Sequence, residues 1–434
     1  FPTEEQKNRP SRPLNIGKAL PCMAHTPMKT TPLLFITLFS LLSLQCTGQG
    51  FDAGRIRQHI RTLASDSLEG RGTGTAGEKL AIAYIQDQFR KIGLQPKGDG
   101  NGYTQKFTFK SGVHGTGSEG TSYNVVGYLD NKAPVTIIIG GHYDHLGLGM
   151  ESGSLDANPQ GKIHNGADDN GSGTSGVIEL ARYYQSNKIK EKANFLFICF
   201  SGEELGLLGS KHYADHPTID FGMVNFMVNM DMIGRLDPKN GLSVSGSGTS
   251  ALWEPLLKKL STAEVPIKTD SSGMGPSDHT SFYLKNIPVL HFFTGSHSDY
   301  HKPSDDWDKI NYDGEVAVLK LIAEVIKQTE AQPRLAFLTT KNKSLGGSRS
   351  FKVTMGVMPS YSSSEAGLKV DGVSDGKPAA KAGILTGDLI IQIGEYKIKD
   401  IQAYMETLGK FEKGQSTTVK LMRNGEEKVL NITF

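Results

Sequence analysis

The chain has 434 residues, with 47 Lys and Arg against 45 Asp and Glu, a net charge of only +2. That balance argues against a nucleic-acid partner, which asks for a clustered basic face, and against a field that steers acidic substrates. The length exceeds one typical domain, and 37% hydrophobic residues suffice for a sizeable core.

The first fifty residues differ from the rest. Behind Lys29 runs an apolar stretch, Leu33 to Leu44 (LLFITLFSLLSL). It falls short of the ~20 residues that cross a membrane. It does fit the apolar region of a signal peptide, with Met28 as the expected start and residues before it as upstream sequence. The expected destination is therefore outside the cytoplasm: periplasmic, cell-surface lipoprotein or secreted. Cys46 follows the run where a bacterial lipoprotein carries its acylated cysteine, although Gln45 stands where a small residue is usual. A lipid anchor at Cys46 and a free form both stay open. Cys199, inside FLFICF, reads as a buried, inert thiol.

Residues 51–331 alternate apolar runs with helical periodicity. Residues 77–93 have apolar positions at helical spacing and close on Gly93, a helix stop. Strand-like runs follow at Val135–Ile139, Phe195–Phe200, Phe226–Val228 with Met230, and Ile287–Phe293, each bounded by Gly, Pro or Asn. Helical patterns lie between and after them at 174–186 and 315–330. The alternation predicts an α/β fold: a mainly parallel, mixed sheet flanked by helices on both faces. Residues 332–350 lose periodicity and read as a linker. Residues 351–434 change texture to short alternating strands and one helix, a small β-rich domain.

Four chemistry-bearing clusters sit at the C-terminal ends of the expected parallel strands, where open α/β sheets place their ligand sites. They are His142 and Asp144 (H-Y-D), Glu203 and Glu204 (S-G-E-E), Asp231, and His301 in S-D-Y-H-K-P-S-D-D. A fifth, Asp168-Asp169, lies in a Gly-rich loop before a helix. Singly, each has an ordinary reading: a strand-end turn, solvated glutamates, a helix cap, a surface histidine. Jointly they gather carboxylates on one sheet edge, which would raise their pKa values and destabilise the fold without a cation. Imidazole with carboxylate and no thiolate suits zinc or a similar borderline metal.

The series H-Y-D, G-A-D-D-N-G-S-G, S-G-E-E-L-G-L-L-G-S, N-M-D-M-I-G and H-K-P-S-D-D resembles that of the M28 metallopeptidases, bacterial leucyl aminopeptidases included. So do E-G-R-G-T-G-T at Glu69–Thr75 and S-D-H-T-S-F at Ser277–Phe282. The resemblance covers roughly 51–331 and implies two zinc ions. One would be held by His142, Asp169 and Asp231, the other by Glu204, Asp169 and His301, with Asp169 bridging. It further implies that Asp144 orients His142 and that Glu203 is the general base. Asp278 and His279 are candidates for the substrate side. Of the other histidines, His291 reads as packed core, His145 and His164 as flanks of a cleft-shaping loop, and His297 as a rival to His301.

Ala382–Gly394 (AGILTGDLIIQIG) resembles the core of PDZ domains. That resemblance implies capture of a peptide or protein C-terminus by strand addition at a sheet edge. Gly367, Leu368, Lys369 and Val370 are the expected edge strand, with the Tyr361–Glu365 loop near the carboxylate. A docking module that binds no peptide is the alternative. For the whole chain the expectation is an exopeptidase acting on peptides with a free N-terminus. A dipeptidase or carboxypeptidase on the same metal core is one alternative. An inactive surface protein that binds through its PDZ module is the other.

Overall fold

Short β-branched and aromatic runs become strands because such side chains fill a pleated surface that is buried on both faces. The computed structural model describes residues 50–110, 118–150, 153–330, 332, 334–340, 353–359, 367–373, 376–399 and 401–434. The apolar run 33–44, Cys46 and the Tyr361–Glu365 loop lie outside the described residues. Nine strands build one sheet: β1 (Gln95–Pro96), β2 (Thr104–Lys110), β3 (Glu119–Leu129), β4 (Thr136–His142), β5 (Asn194–Phe200), β6 (Val224–Met230), β7 (Leu242–Ser245), β8 (Ile267–Asp270) and β9 (Val289–Phe293). Their order is β1-β3-β5-β4-β6-β9-β7-β8, with β2 pairing with the first part of β3. The centre, β5-β4-β6-β9, is parallel, while β3 and β7 join it antiparallel, so the sheet is mixed.

Every residue of β4, β5 and β6 is buried. Alternate side chains leave on opposite faces, which divides the core in two. Ile137, Ile139, Phe195, Phe197, Phe226 and Val228 pack with helices α1 (Ala53–Leu63), α2 (Ala76–Ile92), α3 (Gly173–Ser186) and α7 (Tyr312–Glu330). Ile138, Leu196, Ile198 and Met227 pack on the other face, with Tyr213 of α4 (Leu208–Asp215) and Phe282 of α6 (His279–Tyr283). Helix α5 (Trp253–Leu260) adds Trp253 to the first core. Helix α2 starts where Thr75 accepts from the Glu78 N–H and stops at Gly93, whose φ of 90° a side chain would resist.

The expected linker does not leave this domain at once. Arg334 donates to the Gly222 carbonyl at 2.7 Å, Leu335 N–H to Asn225 Oδ1 at 2.8 Å, and Thr340 N–H to Tyr283 Oη at 3.0 Å. Phe337 packs on Tyr283 with ring centroids 5.3 Å apart. Residues 334–340 are thus a strap on the first domain, tied by hydrogen bonds between backbone and side chain that no side-chain periodicity announces.

The second sheet is antiparallel, with strands β10 (Val357–Pro359), β11 (Leu368–Val373), β12 (Leu389–Ile393), β14 (Ser416–Arg423) and β15 (Glu426–Thr433) in that order; β13 (Tyr396–Lys397) pairs with β12. With helices α8 (Pro378–Ala382) and α9 (Ile401–Leu408) it encloses its own core, including Met355, Val370, Ile390, Val419 and Leu421. Gly367–Val370 runs into β11, which pairs with β12 at Leu368 and Lys369 and with β10 from Val370 to Val373. Leu368 and Val370 point into the core, and a Cβ on Gly367 would lie 3.0 Å from the Ile390 carbonyl oxygen.

Candidate metal centre

Because β5, β4, β6 and β9 run parallel, their C-terminal ends lie side by side and deliver their motifs to one place. His142 ends β4, Glu203 and Glu204 follow β5, and Asp231 follows β6; His301 lies eight residues beyond the end of β9. Asp169 arrives from the buried turn 167–172 that opens α3. Backbone packing there is tight: a Cβ on Gly173 would come within 2.4 Å of the Met230 carbonyl oxygen, and one on Gly141 within 2.7 Å.

The donor atoms form two triangles that share Asp169. His142 Nε2 is 3.4 Å from both Asp169 Oδ1 and Asp231 Oδ1. His301 Nε2 is 3.0 Å from Asp169 Oδ2 and 3.2 Å from Glu204 Oε2. Two atoms each ~2.0–2.1 Å from a tetrahedral zinc lie ~3.3 Å apart, so these spacings fit the ion. Another grouping joins His145 with Asp169 and Glu204, and Glu203 with His142 and Asp231. The more even distances, 3.0 and 3.2 Å against 2.7 and 3.8 Å for His145, favour His301, while Glu203 Oε2 stands back at 3.9 Å from His142 Nε2.

Both imidazoles are held so that Nε2 is turned to the cluster. His301 Nδ1 lies 2.8 Å from the Gly153 carbonyl oxygen and donates to it, leaving Nε2 its lone pair. His142 Nδ1 faces Asp144, with the carbonyl oxygen at 3.2 Å and the carboxylate at 3.7 Å. The backbone of Asp144, more than its side chain, therefore orients His142. Its carboxylate accepts instead from Thr73 Oγ1 at 2.8 Å and from the Glu203 N–H at 3.2 Å.

Electrostatics separate the adjacent glutamates. Burial, then the charges of Asp231 and Glu204, push Glu203 well above the usual carboxylate range despite His142. Burial would raise Glu204 as well, but His301 and His145 outweigh it and hold Glu204 well below that range. Burial opposes a charge on His142, yet Glu203, Asp231 and Asp169 pull its pKa well up. The cluster draws positive charge, as a cation site must.

A further layer fixes the turn that carries Asp169. Asp305 Oδ2 accepts from the N–H groups of Asp168 and Asp169 at 2.9 and 3.1 Å, and Arg235 holds its other oxygen at 3.2 Å. Arg71, fully buried, donates to the carbonyls of Tyr143, Leu63, Asn165 and Gly166, tying that loop to β4. Both residues sit within motifs visible in the sequence. Their targets are backbone atoms, however, which leave no signature of residue type.

A pocket of about 330 Å³ opens on the cluster, lined by His142, Asp169, Glu203, Glu204, Asp231 and His301. His279 also lines it, with both ring nitrogens buried and without a partner among the described residues, while Asp278 is buried outside its lining. The expectation that His291 is a plain core residue is corrected: it lines the same pocket, stacked on His279 at 4.4 Å, because strand β9 ends there. His297 is no rival ligand; its Nε2 lies 3.1 Å from Asp168 Oδ2, behind the turn. His164 bonds Ser154 and the Lys162 carbonyl, within its own loop. His145 does more than flank that loop, since its Nδ1 reaches Glu204 Oε1 at 2.7 Å.

Fold and cluster together define an α/β protein with a metal-competent centre at the carboxyl ends of its parallel strands. Residues 124–326 match the model of peptidase family M28, and residues 353–434 match that of the PDZ domain. A region similar to M28 peptidases is thus followed by one similar to PDZ domains. It is 32% identical to aminopeptidase YwaD of Bacillus subtilis (strain 168) over 209 residues, 44% of this chain and 41% of that protein. The chain spans less than half the length of the curated relatives it matches first. A Zn-dependent exopeptidase from Parabacteroides distasonis shares the fold with a TM-score of 0.52 at 17% identity, covering 64% of this chain and 98% of that one. Porphyromonas gingivalis glutaminyl cyclase does so at 0.50 and 16% identity, with the same coverage. One architecture thus serves different chemistries, and the reaction has to be argued from the site.

Proposed function

We propose that the chain is a zinc-dependent exopeptidase that removes N-terminal residues from peptides. The observation that carries this reading is the pair of donor triangles sharing Asp169, with Glu203 set back beside them in the same pocket. His142, Asp169 and Asp231 would hold one zinc ion, and Glu204, Asp169 and His301 a second. When bound, the metal supplies a water of lowered pKa and polarises the scissile carbonyl. The rest falls to the chain's own groups. Glu203, with its raised pKa, is placed to take a proton from the attacking water and return it to the departing amine nitrogen. The pocket holds the N-terminal residue beside His279 and His291. The similarity to aminopeptidase YwaD supports cleavage from the amino end. A full set of five ligands and a base speaks against an inactive, purely PDZ-binding protein. For the second domain we read capture of a peptide or protein C-terminus by strand addition at a sheet edge, with Gly367–Val370 as the receiving strand. The apolar run 33–44 supports export, with Cys46 as the residue a lipid anchor would use.

The test is hydrolysis of aminoacyl-anilides, free and N-acetylated, with and without chelator, beside Glu203→Gln. The expected outcome is cleavage of free-amine substrates alone, abolished by chelator, restored by zinc and lowered ~10²–10⁴-fold in the variant. Cleavage of dipeptides or of C-terminal residues instead would replace the amino-end reading with its alternatives. A folded, zinc-loaded chain that cleaves none of them would overturn the exopeptidase.

A further inference from the structure

His145 follows β4 by three residues, and its place is set from several sides. Its N–H donates to the Arg71 carbonyl at 3.3 Å, and residue 145 forms a bridge with Gly72. The ring lies against the backbone of the Asp169 turn, where a Cβ on Gly166 would come within 2.5 Å of Cγ and Cδ2. It meets the His301 ring edge-on at 5.7 Å. The imidazole is buried, and its Nε2 has no partner among the described residues. Its Nδ1 has one close partner, Glu204 Oε1 at 2.7 Å, and stands 3.8 Å from Asp169 Oδ2.

These distances divide the labour of the Glu204 carboxylate. Oε2 faces the triangle with His301 Nε2 and Asp169 Oδ2, while Oε1 is engaged by His145. A separation of 2.7 Å is that of a charge-assisted hydrogen bond. Two atoms bound to one tetrahedral zinc stand further apart, at ~3.3 Å. His145 Nδ1 is thus a donor to the carboxylate and no fellow ligand of it.

We propose that His145 is a positioning residue: its Nδ1–H holds Glu204 Oε1 so that Oε2 alone is presented to the metal, which sets the affinity of the Glu204–Asp169–His301 pole. This rests on reading the cluster as a metal centre. Hydrogen-bond partners of metal-binding groups change affinity ~10–100-fold when removed.

The test is zinc binding by the full chain in competition with a chromophoric chelator, for wild type, His145→Ala, His145→Gln and His301→Ala. The expected result is a ~10–100-fold weaker affinity for one zinc of two in His145→Ala. The other site should keep its affinity. His145→Gln, whose amide can still donate, should recover most of the loss, whereas His301→Ala should lose that equivalent. If His145→Ala binds both ions as wild type does, the proposal fails. It also fails if His145→Gln behaves like His301→Ala, since that would make His145 a ligand. A wild-type chain that binds no zinc overturns the metal centre and the role of His145 with it.

Discussion

Glu179, on α3, is fully buried, and Arg55 on α1 and Arg182 on its own helix meet it at 3.1 and 3.0 Å. His59 Nε2 lies 3.5 Å away. Burial alone would raise its pKa, but hydrogen bonds from His59, Arg182 and Arg55 bring it down from 4.5 to about 2. A depressed carboxylate pKa contributes stability that is fully present above the unfolded value and lost as pH falls through the folded one. The window is therefore pH 4.5 down to about 2, and the contribution is on the order of 3 kcal/mol at neutral pH. Comparing urea stability of wild type and Glu179→Gln should show a gap at pH 5 that shrinks by about half by pH 3. A gap that does not change with pH would mean that packing, not charge, is what the substitution removes. Residue-scale features divide by how much they show in a sequence. His142, Asp169, Glu203, Glu204, Asp231 and His301 were legible because few other roles explain such groups at successive strand ends. His145 and Asp305 were not, because what they do depends on which loop faces them across the fold.

At the scale of elements, the N-terminus of α3 decides whether the donor triangles exist. Gly173 opens that helix with an ordinary φ of −62°, so alanine there should strengthen the helix by roughly 0.5–1 kcal/mol on propensity alone. Its Cβ, however, would meet the Asn170 amide at 2.3 Å and the Met230 carbonyl oxygen at 2.4 Å. Backbone on β6 cannot step aside as a side-chain tip can, and overpacking of this kind costs about 1–3 kcal/mol. Gly173→Ala is therefore expected to destabilise the domain. It should also weaken zinc binding, because the helix carries Asp169 away from Asp231. An unchanged or higher urea midpoint would show that the helix shifts without strain. Here too the sequence was informative in parts. The central strands and helices α2, α3 and α7 were readable within a few residues, since each is buried on the face its period marks. Strands β1, β7 and β8 were not, being too short for a periodic signal. Alternating apolar residues mark a strand that has a buried face, but only pairing across the sheet decides whether it is an edge.

For the whole molecule, the separation of cores matters more than any one contact. The nine-stranded sheet has a core on each face, and the second sheet encloses another; among the described residues no core cluster combines residues of the two. Among the described residues, the groups able to hold a metal belong to the first domain. A ligand stabilises only the cooperative unit that binds it, by about 2.7 kcal/mol when free zinc stands at a hundred times its dissociation constant. Calorimetry of the full chain should therefore resolve two unfolding transitions. Stripping zinc with chelator should lower the midpoint of one by several degrees and leave the other in place. Asp388, paired with Arg423 at 2.7 Å inside the PDZ sheet, identifies the second transition. Asp388→Ala should move the midpoint that chelator leaves untouched and spare the zinc-dependent one. A single transition that responds to both treatments would show instead that the domains unfold as one unit, with the 334–340 strap as the first place to look for the coupling.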